Sequence, residues 1–178
     1  LAGSLNSGVI RATERHLLES GLAKSDIVMY GIGKRGSEYF ASRGYDVRER
    51  HDNISDEVSS DDLYEATKKV LEWHASGEIC TALVVYTNFL STFEQKPAVR
   101  QVIPLQEAAL NEIVAGIPPL RGKYANIATS DAPAPVDYSI EPDAQSVLDV
   151  LVPDLVHIAV FHALLEAKAS EHSARMVA

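Results

Sequence analysis

Residues 141–178 constrain the fold of this chain most, because their pattern predicts helix almost to the end. Pro142 suits the first turn of a helix, and Asp143 suits the positive end of the helix dipole. Pro153 lacks an N–H group and pushes Val152 away from helical geometry, so we predict that the first helix stops there. A second helix then runs from Pro153 to the end, a length of roughly 39 Å at about 1.5 Å per residue.

The second helix carries a regular stripe of small and apolar side chains. The steps between them alternate between four and three residues, which is the 3.5-residue repeat of a left-handed coiled coil. The stripe consists of Val156, Val160, Ala163, Ala167, Ser170, Ala174 and Val177. An ordinary domain helix is the alternative, but the pattern stays strict over about three heptads. We therefore predict half of a coiled coil, whose short side chains let a partner helix approach closely.

The preceding residues alternate helices with strands. We predict helices at 7–20, 37–42 and 61–76, and strands at 27–30, 45–47, 79–86 and 93–105. The strand at 79–86 is almost continuously apolar, as central strands are, and Pro97 makes the last strand an edge strand. The order predicts an α/β class: a Rossmann-like layered domain with a largely parallel sheet at 1–140, and a helical segment at 141–178. Residues 106–136 form an irregular connection within the first domain.

Both ends of the sequence look like cuts through a longer pattern. The last helix has no glycine cap or proline to stop it, and the chain does not begin with Met. The first predicted helix also has no strand before it, although a strand should feed it in such a fold. We therefore expect a longer native last helix with a missing partner, and further sequence before Leu1 that supplies the missing strand.

Composition excludes some classes of protein. The formal net charge of −9 argues against nucleic-acid binding, which depends on clustered cations. We find no run of about 18 apolar residues, so we predict no direct membrane span. Cys80 is the single cysteine and lies in an apolar run, so we predict a buried thiol without a disulfide.

A glycine motif offers the main alternative function. Gly31, Gly33 and Gly36 fit G-x-G-x-x-G between a strand and a helix, and Asp52 follows about twenty residues later. In a dinucleotide-binding enzyme the backbone N–H groups of such a turn hold a pyrophosphate. However, the helix that follows is short for that unit, and glycines also serve in ordinary tight turns.

No other chemistry stands out in the sequence. The six histidines include no pair spaced i, i+4, and the single cysteine has no neighbouring base. There is no phosphate-binding loop of the G-x-x-x-x-G-K type and no nucleophile elbow. We therefore predict no catalytic site, no cofactor and no metal.

Several stretches resemble the gamma subunit of F-type rotary ATP synthases. Ser-Glu-His-Ser-Ala-Arg-Met-Val-Ala at 170–178 looks like the signature that opens the family's long C-terminal helix. Leu-Ala-Gly-Ser-Leu-Asn at 1–6 is similar to its Leu-Cys-Gly-x-x-Asn stretch, with Ala2 where many members carry cysteine. Further similarity lies at the Gly-x-Lys-Gly turn (31–36), the Asn-Phe…Pro…Leu-Pro-Leu segment (87–105) and the Tyr-x-x-Glu-Pro-Asp stretch (138–143). Residues 106–136 depart from the family.

The resemblance implies a central-stalk rotor subunit of a proton-translocating ATP synthase. In this family an α/β base carries a shaft of antiparallel N- and C-terminal helices, which turns inside a ring of alpha and beta subunits. The base contacts the epsilon subunit and the membrane c-ring, so c-ring rotation is coupled to conformational change at the beta-subunit catalytic sites. Such a subunit is not catalytic itself. The resemblance implies a peripheral membrane complex at the cytoplasmic face of a bacterial plasma membrane, with an organellar inner membrane left open.

The resemblance also implies contacts for particular residues. Arg175 would face acidic residues of a beta-subunit lever. Near the same lever would lie Leu1, Ala2 and Gly3. Near the c-ring and the epsilon subunit would lie Tyr138 and Glu141. Without the family, Arg175 is better interpreted as a solvated helix charge, since exposed ion pairs contribute only about 0–1 kcal/mol. A free-standing coiled-coil adaptor is a third possible function, which the stripe alone also fits.

Overall fold

A computed structural model describes residues 2–52, 60–105 and 144–176. Within them, helices and strands alternate up to a hairpin and a long last helix. The elements are α1 (Ala2–Ser20), β1 (Val28–Ile32), α2 (Lys34–Ser42), β2 (Asp46–His51), α3 (Tyr64–Ala75), β3 (Ala82–Ser91), β4 (Glu94–Ile103) and α4 (Ala144–Met176), with 3₁₀ turns at Lys24–Asp26 and Ser60–Leu63. The mixed α/β class is confirmed.

The first unit is a parallel βαβ arrangement. β1 and β2 pair in parallel, from Val28 opposite Asp46 to Ile32 opposite His51. α2 connects them and is anchored by Phe40, which is buried and meets the rings of its neighbours edge-on. α2 begins at Lys34, three residues earlier than predicted, because Gly33 alone turns the chain.

The second unit is an antiparallel hairpin. β3 and β4 pair from Ala82 opposite Ile103 to Ser91 opposite Glu94, and Pro97 lies opposite Thr87. The two pairs form separate two-stranded sheets, so parallel pairing is confined to the first of them. Among the described residues β3 therefore has one hydrogen-bonded neighbour, although its apolar sequence predicted a central strand with two.

α4 is continuous, which corrects the predicted break at Pro153. The helix runs from Ala144 to Met176 with the proline inside it. A proline removes one backbone hydrogen bond and costs roughly 3 kcal/mol, but helices containing proline persist when packing holds both sides. Here α4 packs along β3 and also contacts α3, so tertiary contacts outweigh the local preference.

The core lies where α3, α4 and the hairpin meet. Its buried side chains are Val102 and Ile103 of β4 and Val156 and Ala159 of α4. Half-buried apolar side chains surround them, from α3 (Val70, Leu71), β3 (Ala82, Val84) and positions 105 and 160. Leu63, fully buried at the entrance to α3, extends this packing. The core thus fixes the first half of α4 to the α/β unit.

Two further details differ from the sequence predictions. α1 begins at Ala2, before the predicted caps Asn6 and Ser7, and ends as predicted before Gly21, whose φ is +66°. Cys80 is exposed, because β3 begins only at Ala82 and the apolar run ahead of it lies outside the strand. Asn6 and Ser7 therefore lie inside α1, whereas Cys80 lies just before β3.

Candidate interaction surfaces

Contacts inside the chain explain the glycine turn between β1 and α2. A Cβ on Gly31 would lie 2.1 Å from the Oγ of Ser37, which donates a hydrogen bond to the Gly33 carbonyl at 2.6 Å. Gly33 has a φ of +101°, where glycine is favoured, and its N–H donates to the His51 carbonyl at 2.9 Å. Two motif glycines are thus required by the turn itself. This weakens the interpretation of the motif as a dinucleotide site.

The polar groups near that turn are also engaged within the chain. Asp52, the acid that follows the glycine motif, forms an ion pair with Arg50, whose Nε lies 2.7 Å from a carboxylate oxygen of Asp52. Elsewhere, His157 lies with its Nδ1 3.3 Å from the Thr67 hydroxyl and packs edge-on against Tyr64. Within the described ranges no three His, Cys, Asp or Glu side chains gather in a way that could hold a metal ion.

The predicted stripe on α4 faces the chain's own strands. Val156 and Ala163 are 1% exposed and Ser170 is 0% exposed. The Ser170 hydroxyl donates to the Glu166 carbonyl at 2.8 Å and lies 3.4 Å from the Thr87 carbonyl of β3. We call this the inner face of α4. Val160, Ala167 and Ala174 of the stripe are half-buried, and Val177 lies outside the described residues.

The opposite side of α4 carries large apolar side chains that are partly exposed. Leu151, Ile158 and Leu165 recur every seven residues and are 46%, 39% and 41% exposed. Ile158 is two positions after Val156, which is a rotation of about 200° around an α-helix. We call these three residues the outer stripe. Because this chain leaves them in contact with solvent, they are apolar residues of α4 that the rest of the described structure does not cover.

The end of α4 carries the family signature and joins the hairpin turn. Ser173 donates its hydroxyl proton to the Thr92 carbonyl at 2.9 Å and is buried. Arg175 donates to Glu171 on the same helix at 2.6 Å, and both side chains are partly exposed. The structure therefore shows Arg175 as a surface cation that is already paired. A partner's acid would have to compete with Glu171 for it.

A cleft lies between α1 and the hairpin. Its volume is about 370 Å³, and α1 contributes two cations, Arg11 and Arg15. Thr87, Gln95 and Pro97 form the wall on the hairpin side. The helix approaches closely at Gly8, where a Cβ would lie 3.2 Å from the Cγ of Pro97. No sequence motif singled out this cleft, because its two walls come from distant parts of the chain.

The other predicted contact residues lie at the start of α1 or outside the described residues. Ala2 and Gly3 lie in the first turn of α1. Outside the described residues lie Leu1, Tyr138 and Glu141. The expected contacts of all five residues with other subunits therefore stay predictions.

Hydrogen bonding and burial raise the pKa of two tyrosines beside α1 and α3. Tyr39 donates to Glu14 at 2.7 Å, and this bond raises the pKa of its hydroxyl above the ordinary 10.0. Arg43 lies 3.4 Å from the same Glu14 carboxylate and 3.7 Å from the centre of the Tyr39 ring. Burial, with the nearby charge of Glu49, raises the pKa of Tyr30. The first of these clusters ties α1 to α2.

One helix is long and apolar enough to cross a membrane by length and composition alone. It is the segment Asp149–Met176 of α4, with a mean hydropathy of 1.6 over its best window. A single such helix is weak evidence, because helices that pack in the core of soluble proteins have the same composition. α4 packs one side along β3, as such a core helix does.

The fold places the chain in the class of mixed α/β units that carry a long helix. Among the described residues, its recognisable functional features are binding surfaces. A family model described as ATP synthase matches residues 1–178. The chain therefore belongs to the ATP synthase family, and the resemblance that its motifs predicted is confirmed.

Individual relatives agree with this family. The chain is 33% identical over 178 residues to the ATP synthase gamma chain of Verminephrobacter eiseniae, covering 100% of this chain and 55% of that one. It is 28% identical over 178 residues to the gamma chain of Staphylococcus carnosus, covering 100% and 56%. The chain thus spans about half the length of the curated relatives it matches.

A solved structure shares the fold. The rotor of Euglena gracilis mitochondrial ATP synthase, in rotational state 1, superimposes with a TM-score of 0.58. The sequences are 20% identical, and the match covers 99% of this chain and 60% of that one. At this identity the likeness concerns the fold, and it includes the α/β unit together with the long helix.

Proposed function

We propose that this chain is the base and part of the shaft of a central-stalk rotor subunit in a proton-translocating ATP synthase. The observation that carries the proposal is the family match over the whole chain. It is combined with a long helix that is buried on one side and partly exposed on the other. The relatives named gamma chain and the rotor of similar fold support it. The coupling of c-ring rotation to the beta-subunit catalytic sites would be its role.

The anchored half of α4 explains how torque can pass from base to shaft. Val156, Ala163 and Ser170 fix the helix against the hairpin, so turning the base turns the helix with it. A rotor shifts its partners only through contacts that differ between orientations. A helix held rigidly on one side presents such a directional surface. The catalytic chemistry would belong to neighbouring subunits.

The shaft needs a second helix, and the outer stripe is the surface that supports its placement. Leu151, Ile158 and Leu165 repeat at the heptad interval and stay partly exposed in this chain. We therefore infer that the partner helix of the shaft packs on the outer stripe. The small-residue stripe at Val156 to Ser170 serves the attachment to the base instead.

The proposed partners are the alpha, beta and epsilon subunits and the c-ring. The family places such a complex on a membrane, and the cytoplasmic face of a bacterial membrane is our proposal for its side. Arg175 would meet an acidic beta-subunit lever by exchanging Glu171 for a carboxylate of the partner. Ala2 and Gly3, in the first turn of α1, would lie near the same lever.

A double substitution on the outer stripe tests the proposal in the assembled enzyme. The full-length polypeptide with Ile158→Asp and Leu165→Asp is expressed with the other subunits, and ATP-driven proton pumping is measured in inverted vesicles. We expect pumping to fall by at least about tenfold, because two unpaired carboxylates buried in a helix pair cost several kcal/mol.

The matched control changes two exposed leucines of equal character elsewhere. Leu18→Asp and Leu22→Asp alter side chains that are also solvent-exposed, one in the last turn of α1 and one just after the helix. This control should pump at the parent rate. A complex that assembles and pumps without this polypeptide would refute the proposed function, and so would micromolar NAD(P) or FAD binding that Gly33→Val abolishes.

A further inference from the structure

Residues 24–51, which we call the lobe, are held less by apolar burial than the rest of the α/β unit. The lobe comprises the first 3₁₀ turn, β1, α2 and β2. None of the side chains that form the core between α3, α4 and the hairpin belongs to it, and no side chain of β1 or β2 is fully buried. Parallel strands are usually covered on both faces, whereas these two pack chiefly on each other and on α2. Other contacts must therefore hold the lobe in place.

One side of the lobe is fixed to α1 by an arginine. The Nε of Arg43 lies 3.4 Å from Oε1 of Glu14 on α1, and its Cζ lies 3.7 Å from the centre of the Tyr39 ring. Tyr39 donates its hydroxyl proton to the same carboxylate oxygen at 2.7 Å. A single glutamate outside the lobe thus contacts two side chains of the lobe. We call Arg43, Tyr39 and Glu14 the first clamp.

A second arginine fixes the lobe to α3 and the residues that follow it. Arg48 of β2 donates through Nη1 to Glu78 and through Nη2 to Asp46 at 3.0 Å. Its Cζ lies 5.2 Å from the centre of the Trp73 ring of α3. Asp46 belongs to the lobe and orients the guanidinium, whereas Glu78 and Trp73 lie outside the lobe. We call Arg48, Glu78 and Trp73 the second clamp.

The two clamps have the same chemistry. Each combines an arginine of the lobe with a glutamate outside it and with an aromatic ring, so a cation–π contact adds to an ion pair. Isolated ion pairs at the surface contribute little to stability, but networks of several charged groups contribute more. Salt screens such contacts, whereas it does not weaken apolar packing in this way. The attachment of the lobe is therefore sensitive to salt, and the core is not.

The chain has a place to bend just before the lobe. Gly21 follows α1 at a φ of +66°, and the lobe begins at Lys24. The Nζ of Lys24 donates to the Arg43 carbonyl at 2.7 Å and lies 4.9 Å from the centre of the Tyr45 ring, so the 3₁₀ turn moves with α2. Hinges are a few residues at the ends of elements that absorb changes in φ and ψ. Residues 21–23 are placed to act as one.

We propose that the lobe is hinged at residues 21–23 and opens as one unit, and that the two arginine clamps set how often it opens. Opening separates Arg43 from Glu14 and Arg48 from Glu78, and it uncovers the Trp73 ring. β1, α2 and β2 stay together because their main contacts lie inside the lobe. Proteins commonly open in such cooperative units without unfolding globally. The proposal does not depend on the rotor function, since it concerns motion within the α/β unit.

Hydrogen exchange followed by mass spectrometry tests the proposal on the full-length polypeptide. Arg48→Met removes the charge and keeps an apolar side chain. We expect the amide protection of β1, α2 and β2 to fall together by about fivefold, while the protection of β3, β4 and α4 stays unchanged. Arg43→Met should act in the same way. Salt at about 0.5 M should lower the protection of the lobe in the parent, and much less in the variant that carries both substitutions.

A matched control and two milder variants decide the assignment. Arg50→Met changes an arginine on the same strand that pairs with its near neighbour Asp52 at 2.7 Å, so it should leave the protection of the lobe unchanged. Glu78→Gln and Glu14→Gln weaken the clamps from outside the lobe and should reproduce the effect of the arginine variants without altering β2 or α2.

Three results would overturn the proposal. The first is unchanged protection of the lobe in the Arg48 and Glu78 variants. The second is a loss of protection confined to β2, which would mean local fraying. The third is an equal loss in β3, β4 and α4, which would mean that the lobe has no opening of its own. ATP-driven pumping by the assembled enzyme is measured separately, so each of these results leaves the rotor proposal standing.

Discussion

The two sides of α4 have the same helix geometry but opposite environments. On the inner face, Val156, Ala163 and Ser170 are short side chains and are fully covered by the hairpin and α3. On the outer stripe, Leu151, Ile158 and Leu165 are large and keep 46%, 39% and 41% of their surface exposed. Small residues therefore mark the side on which the helix approaches its own domain, and large apolar residues mark the side that the described residues leave partly exposed.

This difference has an energetic basis. Burying a large apolar side chain completely contributes about 1.5–3 kcal/mol, so a leucine that is 41% or 46% exposed keeps somewhat less than half of that gain for a later contact. A small side chain gains less itself but allows backbones to approach, which improves packing for all its neighbours. The helix is thus attached on one side and available for association on the other.

The largest expected effect comes from an aspartate placed on the inner face of α4, compared with an aspartate placed on the outer stripe. Val156→Asp in the 178-residue chain should lower the free energy of unfolding by about 4–5 kcal/mol, because it buries an unpaired carboxylate in the core. Ile158→Asp, two positions away, should lower it by only about 1–1.5 kcal/mol, because 39% of the Ile158 side chain is exposed and an aspartate there can reach water. Urea unfolding followed by circular dichroism measures both. Equal destabilisation by the two variants would remove the distinction between the faces.

A second test asks whether the outer stripe becomes buried in the longer protein. Leu165→Ala should cost less than about 1 kcal/mol in the 178-residue chain and about 2–3 kcal/mol in the full-length polypeptide, since a buried leucine truncated to alanine costs about 2–5 kcal/mol. Thermal and urea unfolding of both lengths provide the comparison. If the cost does not increase with length, the partner helix does not pack on Leu165.

Much of the fold could be predicted from local patterns, but which elements pack against each other could not. Glycines at positive φ, such as Gly21 and Gly77, ended helices where the sequence indicated. The regular stripe on α4 was visible as a spacing, yet spacing does not say whether strands or another helix will cover it. The outer stripe was missed because polar residues, including Asp154 and Lys168, interrupt its heptads.

The candidate sites show the same limit. The family could be recognised from short motifs, because they are contiguous in sequence. The cleft could not, since Arg11 and Arg15 meet a wall formed by Thr87 and Gln95, far along the chain. Likewise, the sequence showed only that Gly31 matches a dinucleotide motif. The position of Ser37 in the fold shows that glycine is needed there because a Cβ would clash with the serine hydroxyl.

A smaller effect should follow from loss of a hydrogen bond on the inner face. Ser170→Ala should lower the free energy of unfolding by about 0.5–1.5 kcal/mol, because the hydroxyl bonds the Glu166 carbonyl and lies near that of Thr87. His172→Ala, an exposed position on the other side of the helix, is the matched control and should have almost no effect. A larger loss for His172→Ala than for Ser170→Ala would contradict the assignment of the inner face.

The smallest expected effect concerns the Tyr39–Glu14 hydrogen bond, which is part-buried and lies away from both sides of α4. Tyr39 keeps its proton to higher pH in the folded chain than in the unfolded chain, because its hydroxyl donates to Glu14. Its contribution to stability is therefore complete below the unfolded pKa of 10.0 and is lost as the pH rises through the raised folded pKa. Tyr39→Phe should lower the urea midpoint slightly at about pH 8, and the difference from the parent should shrink above about pH 10.

Since the bond joins α1 to α2, this variant should leave the effects of Val156→Asp and Ile158→Asp unchanged. A non-additive result would mean that the α1–α2 contact and the two sides of α4 are coupled.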